Sequence, residues 1–255
     1  MQIYSDEFLS PVRNLSRRDL LKTSLGVAGG LLLGLGRVRV AGAGAHVAGT
    51  QRLNTYVHIA PDGEVVIFVP TAEMGQGNYT GLTKIVADEM EADCSRVTAR
   101  LSHASTEFNN PVAKRQRTAN SDATSGYFQA LRQAGATARD MLTRAAAQSW
   151  QVPAGECRAV QGVVTHEPSG RQLGYGELAE AAAQLEPAAE VALKQPGEFR
   201  LIGKSTPKID AAAKSCGEAV FGLDVQLPGM LVASVRHVPV FGARITSVNT
   251  EELMA

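Results

Sequence analysis

The chain has 255 residues, enough for one large domain or two ordinary ones, so size does not limit the core. Lys plus Arg and Asp plus Glu number 25 each, and a net charge of zero argues against a nucleic-acid partner, which needs a basic excess to neutralise phosphates. Hydrophobic residues at 44% and charged ones at 20% exclude a disordered chain, and 3 scattered cysteines without a Cys-x-x-Cys pair exclude a disulfide framework and a self-contained four-thiolate cluster.

In chain order, Ser16-Arg17-Arg18-Asp19-Leu20-Leu21-Lys22 precedes a glycine-diluted apolar run from Thr23 to Leu35. A basic pair ahead of such a run reads as a twin-arginine export signal. The run falls short of the roughly twenty residues that span a bilayer as a helix. Ala41-Gly42-Ala43 and Ala43-Gly44-Ala45 are candidate cleavage sites. Because that route carries folded proteins, the signal raises the expectation of a cofactor enzyme working in the periplasm.

Residues 55 to 69 predict a hairpin, with two β-rich runs flanking Pro61-Asp62-Gly63. A helix follows over Tyr79 to Glu91, its stripe formed by Leu82, Ile85, Val86 and Met90, with Lys84, Asp88, Glu89 and Glu91 mostly off that stripe. A polar irregular segment spans Ser102 to Ser121, long enough to suggest a functional loop. A longer helix is expected over Ala123 to Ser149, with Tyr127, Leu131, Ala134, Ala138, Met141, Leu142 and Ala145 as its apolar stripe. Val160 to Thr165 and Arg171 to Leu173 read as strands, Tyr175 to Leu185 as a third helix, and Glu186 to Ser205 as a loose connection. A new unit opens near Pro207 with one strand, Leu231 to Val238. So few elements cannot bury a core alone, so the chain is expected to be truncated or to need a partner to finish that domain.

Glu73-Met74-Gly75-Gln76-Gly77 lies between hairpin and helix. Its glycines let the backbone pass close to a ligand, and its amide both donates and accepts; taken alone, though, a plain strand-to-helix turn is the better account of it. Arg117-Thr118-Ala119-Asn120-Ser121 ends just before the longer helix, where hydroxyls and an amide either cap it or bind a pyrophosphate or polar ring. His46, His58, His103, His166 and His237 show no metal-ligand spacing, so no metal held directly by protein side chains is expected. No P-loop or Gly-x-Ser-x-Gly elbow is present, and no carboxylate stands out as a general base.

Three segments carry a resemblance: Glu73 to Gly77 with Thr80 and Ala87-Asp88-Glu89; Leu131-Arg132-Gln133-Ala134-Gly135-Ala136-Thr137-Ala138-Arg139-Asp140-Met141-Leu142; and the Pro207 to Leu231 patch. In that order, behind the signal, they resemble the molybdenum-binding large subunit of the xanthine dehydrogenase and aldehyde oxidase family, in its isoquinoline 1-oxidoreductase beta-subunit branch. The resemblance implies an α+β chain: signal and linker at 1–50, a molybdopterin-binding domain segment at 51–200, and the start of an α/β-hammerhead-like domain at 201–255. It implies molybdopterin cytosine dinucleotide as cofactor, contacted by Gly75, Gln76 and Gly77 and by Thr118, Ala119, Asn120 and Ser121, with the metal held by the cofactor's own sulfurs.

The implied reaction is hydroxylation of N-heteroaromatic compounds or aldehydes with water as the oxygen source. The family's proton-accepting glutamate lies near the C-terminus of its large subunit, so no catalytic residue is assigned in this chain, which is expected to be inactive alone. Implied partners are the remainder of the large subunit, a small subunit with two [2Fe–2S] clusters, a cytochrome c acceptor and the twin-arginine export machinery. The alternative expectation is an exported, non-catalytic interaction module derived from the same family.

Overall fold

The computed structural model describes residues 49–235 and 237–248, so the signal and its cleavage candidates lie outside the described residues. The chain folds as α+β around two small sheets. The first has the order β1 (Gln51–Arg52), β2 (Val57–Ile59), β3 (Val65–Val69), β4 (Val97–Leu101). The expected hairpin forms: β2 and β3 pair antiparallel with Val57 opposite Ile67 and Ile59 opposite Val65. Its turn closes through Gly63 N–H donating to Ala60 O at 2.9 Å, with Gly63 at φ +92°, a dihedral that glycine adopts without a Cβ penalty. Every residue of β2 and β3 is buried, which explains their unbroken apolar runs.

From β3 the chain crosses over through α1 (Asn78–Met90) to β4, which pairs parallel to β3. Against α1 packs α2 (Ala123–Trp150), whose expected stripe is buried throughout. The helices approach so closely at Gly135 that a Cβ there would stand 2.5 Å from Val86 O.

The second sheet corrects the expected strand Val160 to Thr165, which is two strands. These are β5 (Cys157–Val160) and β6 (Val163–His166), joined antiparallel through Gln161 and Gly162. Both linking residues have positive φ, 46° and 79°, as a tight two-residue hairpin turn requires. After β7 (Gln172–Gly174) comes α3 (Tyr175–Ala183), anchored by the Tyr175 hydroxyl donating to Met90 O at 2.6 Å.

One further expectation is corrected around α1. Asp88 and Glu89, off the expected stripe, are nonetheless fully buried. The segment that follows α3 is clasped by them instead of hanging loose. Asp88 accepts from Lys194 Nζ at 2.9 Å and from the backbone N–H groups of Leu201 and Ile202 at 2.9 and 2.8 Å. Glu89 accepts from Arg132 Nε at 2.6 Å and from Lys194 N–H at 3.1 Å. Buried charge is tolerated here because each carboxylate oxygen has donors.

From Pro207 the described residues hold one short helix, α4 (Ala211–Ser215), and a single 3-10 turn. The described part of the expected strand Leu231 to Val238 is extended coil, with Leu231 93% and Val232 92% exposed. A lone strand has no ladder partner there, and without one the backbone donors and acceptors stay with water.

Candidate functional site

The turn between β3 and α1 is organised by one carboxylate. Glu73 Oε1 accepts the N–H of Gly75 at 2.7 Å and of Gly77 at 3.1 Å, while Oε2 accepts that of Tyr79 at 2.9 Å. Gly75 and Gly77 sit at φ +98° and +88°, which lets their amides converge on it. Burial opposes ionisation of Glu73, but the Tyr79, Gly77 and Gly75 N–H groups, with Lys214 beyond, outweigh it. The carboxyl is held below the usual range. The Gln76 side chain folds back onto its own turn: Nε2 donates to Ala72 O at 2.9 Å, and Oε1 accepts from Met74 N–H.

The second expected segment meets this turn at its base. Thr118 Oγ1 accepts the N–H of Ala72 at 2.8 Å, closing a cavity of about 360 Å³ whose walls include Pro70, Thr71, Ala72, Gln116, Arg117 and Thr118. Gln116 braces it by donating to Ser102 Oγ at 2.8 Å and accepting the Ser105 N–H at 3.1 Å. Of the expected site residues, Thr118 lines this cavity, whereas Gly75, Gln76, Gly77, Ala119, Asn120 and Ser121 do not. Three roomier cavities, about 460 Å³ beside Gly63, about 780 Å³ beside Arg139 and about 570 Å³ beside Ser95, include none of these residues.

Ala119, Asn120 and Ser121 are exposed on the rim leading into α2. Asn120 and Ser121 are both left-handed, at φ 56° and 53°, a conformation that costs a non-glycine residue on the order of 1 kcal/mol or more. The expectation that they cap α2 is corrected: its N-cap is Asp122, which makes no side-chain cap and instead pairs with Arg117. The hydroxyl of Thr118 is committed to Ala72.

One residue that sequence reasoning passed over, Thr71, and one that it named only as part of a segment, Arg117, complete the site. Thr71 is 3% exposed, and its hydroxyl is buried without a partner; Arg117 Nε is likewise buried and unpaired. Both residues line the cavity. A buried polar atom without a partner is costly, and a polar ligand entering here would satisfy it. Only their position beside Ala72 and Thr118 in the same segments signalled these two residues.

An α+β scaffold in which the end of β3, at Thr71 and Ala72, and the polar loop at Gln116 to Thr118 share one cavity wall frames a candidate ligand site. The chain belongs to the molybdopterin cofactor-binding domain family, whose model matches residues 27–226. It is 39% identical to isoquinoline 1-oxidoreductase subunit beta of Brevundimonas diminuta, over 74% of this chain and 29% of that protein. It is 32% identical to the membrane-bound aldehyde dehydrogenase [pyrroloquinoline-quinone] of Gluconacetobacter polyoxogenes, over 94% of this chain and 31% of that protein. The chain thus spans less than a third of the length of these curated relatives. Among solved structures it is similar to quinoline 2-oxidoreductase from Pseudomonas putida 86, at 21% identity and TM-score 0.38 over 49% of this chain and 15% of that one.

Proposed function

We propose that this chain contributes the molybdopterin-contacting part of the large subunit of a molybdenum hydroxylase acting on N-heteroaromatic compounds or aldehydes. One observation carries the reading: the wall joined by the Ala72–Thr118 hydrogen bond presents two buried, unpartnered polar atoms, Thr71 Oγ1 and Arg117 Nε. A cofactor rich in ring nitrogens and phosphate oxygens fits such donors. Thr71 and Arg117 would hold it, with Gly75 to Gly77 and Ala119 to Ser121 on the rim. When bound, the cofactor supplies two-electron redox chemistry that transfers oxygen from water to an electron-poor carbon.

What the chain's own residues do is bind and orient. Glu73 is spent on three backbone N–H groups and stays ionised, so it holds the turn's shape and is not free to shuttle a proton. The proposal takes the proton acceptor from the remainder of the large subunit, as the family resemblance implies, and the chain alone is expected to be inactive. The further parts of the proposal are the cytosine dinucleotide form of the cofactor, a small [2Fe–2S] subunit that takes the electrons on to a cytochrome c, and the remainder of the large subunit. Twin-arginine export to the periplasm completes it, with the domain boundary near residue 200.

A second reading, an exported non-catalytic interaction module, is favoured by the exposure of Leu223, Leu231, Val232 and Phe241. Molybdenum and nucleotide analysis of the complex isolated from cytoplasm and periplasm separates the two. Stoichiometric molybdenum with CMP released on hydrolysis supports the hydroxylase; a metal-free, nucleotide-free complex overturns it. Retention of the chain in the cytoplasm when Arg17 and Arg18 are both changed to Lys tests the export route.

A further inference from the structure

The turn opening α1 is held from outside as well as from within. Lys208 Nζ donates to Gly75 O at 2.5 Å, and Lys208 Cε lies 3.6 Å from where a Cβ on Gly77 would stand. Next to it, the Ile209 N–H donates to Thr80 Oγ1 at 3.0 Å, and Lys214 Nζ lies 3.9 Å from Glu73 Oε1. Residues 208–214 therefore strap the turn to α1 although they are more than a hundred residues away in sequence.

The strap has a directional consequence. In a trans peptide, C=O and N–H point to opposite sides of the chain. Holding the Gly75 carbonyl against the Lys208 ammonium turns the N–H of Gln76 the other way. The neighbouring amides of Met74, Gly75 and Gly77 are all taken up, by Gln76 Oε1 and by Glu73, whereas the Gln76 N–H meets no protein acceptor among the described residues. Glycine at position 75 makes rotation of that peptide inexpensive, so its orientation has to be selected by something beyond the turn. A cation on the carbonyl does so.

We propose that Lys208 is a positioning residue for the Gly75–Gln76 peptide, fixing its carbonyl so that the Gln76 N–H is presented as a free donor to an acceptor on the bound pterin. The pterin half of this rests on the function proposed above; the strap itself does not.

The test uses the full chain in its isolated complex, comparing Lys208→Met, which keeps the aliphatic stem and loses the charge, with Lys208→Arg, which restores a cationic donor. Hydrogen exchange of the 73–79 amides reads the strap, and molybdenum retained after dialysis reads the cofactor. The Met variant is expected to exchange the Gly75 and Gly77 amides about tenfold faster and to lose molybdenum faster, with the Arg variant close to wild type. Unchanged exchange in the Met variant, or an Arg variant no better than Met, overturns the strap. Faster exchange with undiminished molybdenum overturns the positioning role. A wild-type complex with no molybdenum overturns the pterin assignment, while the exchange data still report on the strap.

Discussion

Thr118 and Ala72, 46 residues apart, are joined by a hydrogen bond of 2.8 Å from the Ala72 N–H to the threonine hydroxyl. The bond brings the loop before α2 onto the end of β3 and makes one cavity wall out of two segments. Thr118→Val removes the acceptor at nearly constant volume. The bond is solvent-accessible, so the Ala72 N–H can turn to water, and the stability loss should be only about 0.5–1 kcal/mol. Cofactor content is expected to fall severalfold more than that loss explains, and Thr118→Ser is expected to restore it. Urea unfolding and molybdenum analysis of the same samples check both.

A larger effect is expected at Asp88. Its carboxylate is fully buried and accepts from Lys194, Arg200, Leu201 and Ile202. Asp88→Ala leaves the backbone N–H groups of Arg200, Leu201 and Ile202 without their acceptor and the buried Lys194 ammonium with Glu91 as its remaining carboxylate, which costs about 3 kcal/mol. The double variant with Lys194→Met is expected to recover part of that loss, because it removes a buried ammonium that has lost one of its two carboxylates, while Glu91 keeps Arg200. Chemical denaturation measures the two, and limited proteolysis should cut between residues 194 and 202 faster in both variants than in the unaltered chain, since both lack the carboxylate that holds Leu201 and Ile202.

The same carboxylate sets an acid limit. Burial opposes ionisation of Asp88, yet the Ile202 N–H, Lys194 and the Leu201 and Arg200 N–H groups together hold its carboxyl below the ordinary value. A depressed folded-state pKa means the stabilisation is complete above the unfolded value, about 3.9, and is lost as pH falls through the folded one. Stability is therefore expected to be flat in this contribution from neutral pH to about 5 and to drop steeply below about 4. Asp88→Asn should flatten that acid limb in urea titrations at stepped pH. An unaltered slope in the variant counts against the assignment.

How much of this was legible in the sequence depended on distance along the chain. The hairpin at Pro61-Asp62-Gly63 and the stripes of α1 and α2 were readable because the residues that decide them are neighbours. Gln161-Gly162 was missed because the β-prone valines on either side were read as one strand, whereas the positive φ of both linking residues makes the pair a turn. Asp88 and Glu89 could not be read as buried, since their donors come from Arg132 and from residues 194–202, beyond any local period. Within the candidate site, the two segments were visible as glycine-rich and hydroxyl-rich punctuation. The groups left unpaired in the shared wall, on Thr71 and Arg117, emerge only once the fold brings those segments together.

The close contact of α1 with α2 allows a prediction of opposite signs at two helical glycines. Gly81 in α1 has open space where a Cβ would be, so Gly81→Ala gains helix propensity and should stabilise by about 0.5–1 kcal/mol. Gly135 in α2 gains the same propensity, but its Cβ would meet Val86 O at 2.5 Å, Glu89 Cβ at 2.8 Å and Met90 N at 3.2 Å. Two of those atoms are helix backbone and cannot swing aside, so the helices must part. Overpacking of that kind costs about 1–3 kcal/mol and outweighs the propensity gain. Parting them would also disturb Glu89, which Arg132 reaches from the same face of α2 at 2.6 Å. Gly135→Ala is therefore expected to lower the melting temperature while Gly81→Ala raises it, and thermal unfolding of the two variants side by side decides the matter. Stabilisation by both would mean that propensity, not close helix packing, governs this interface.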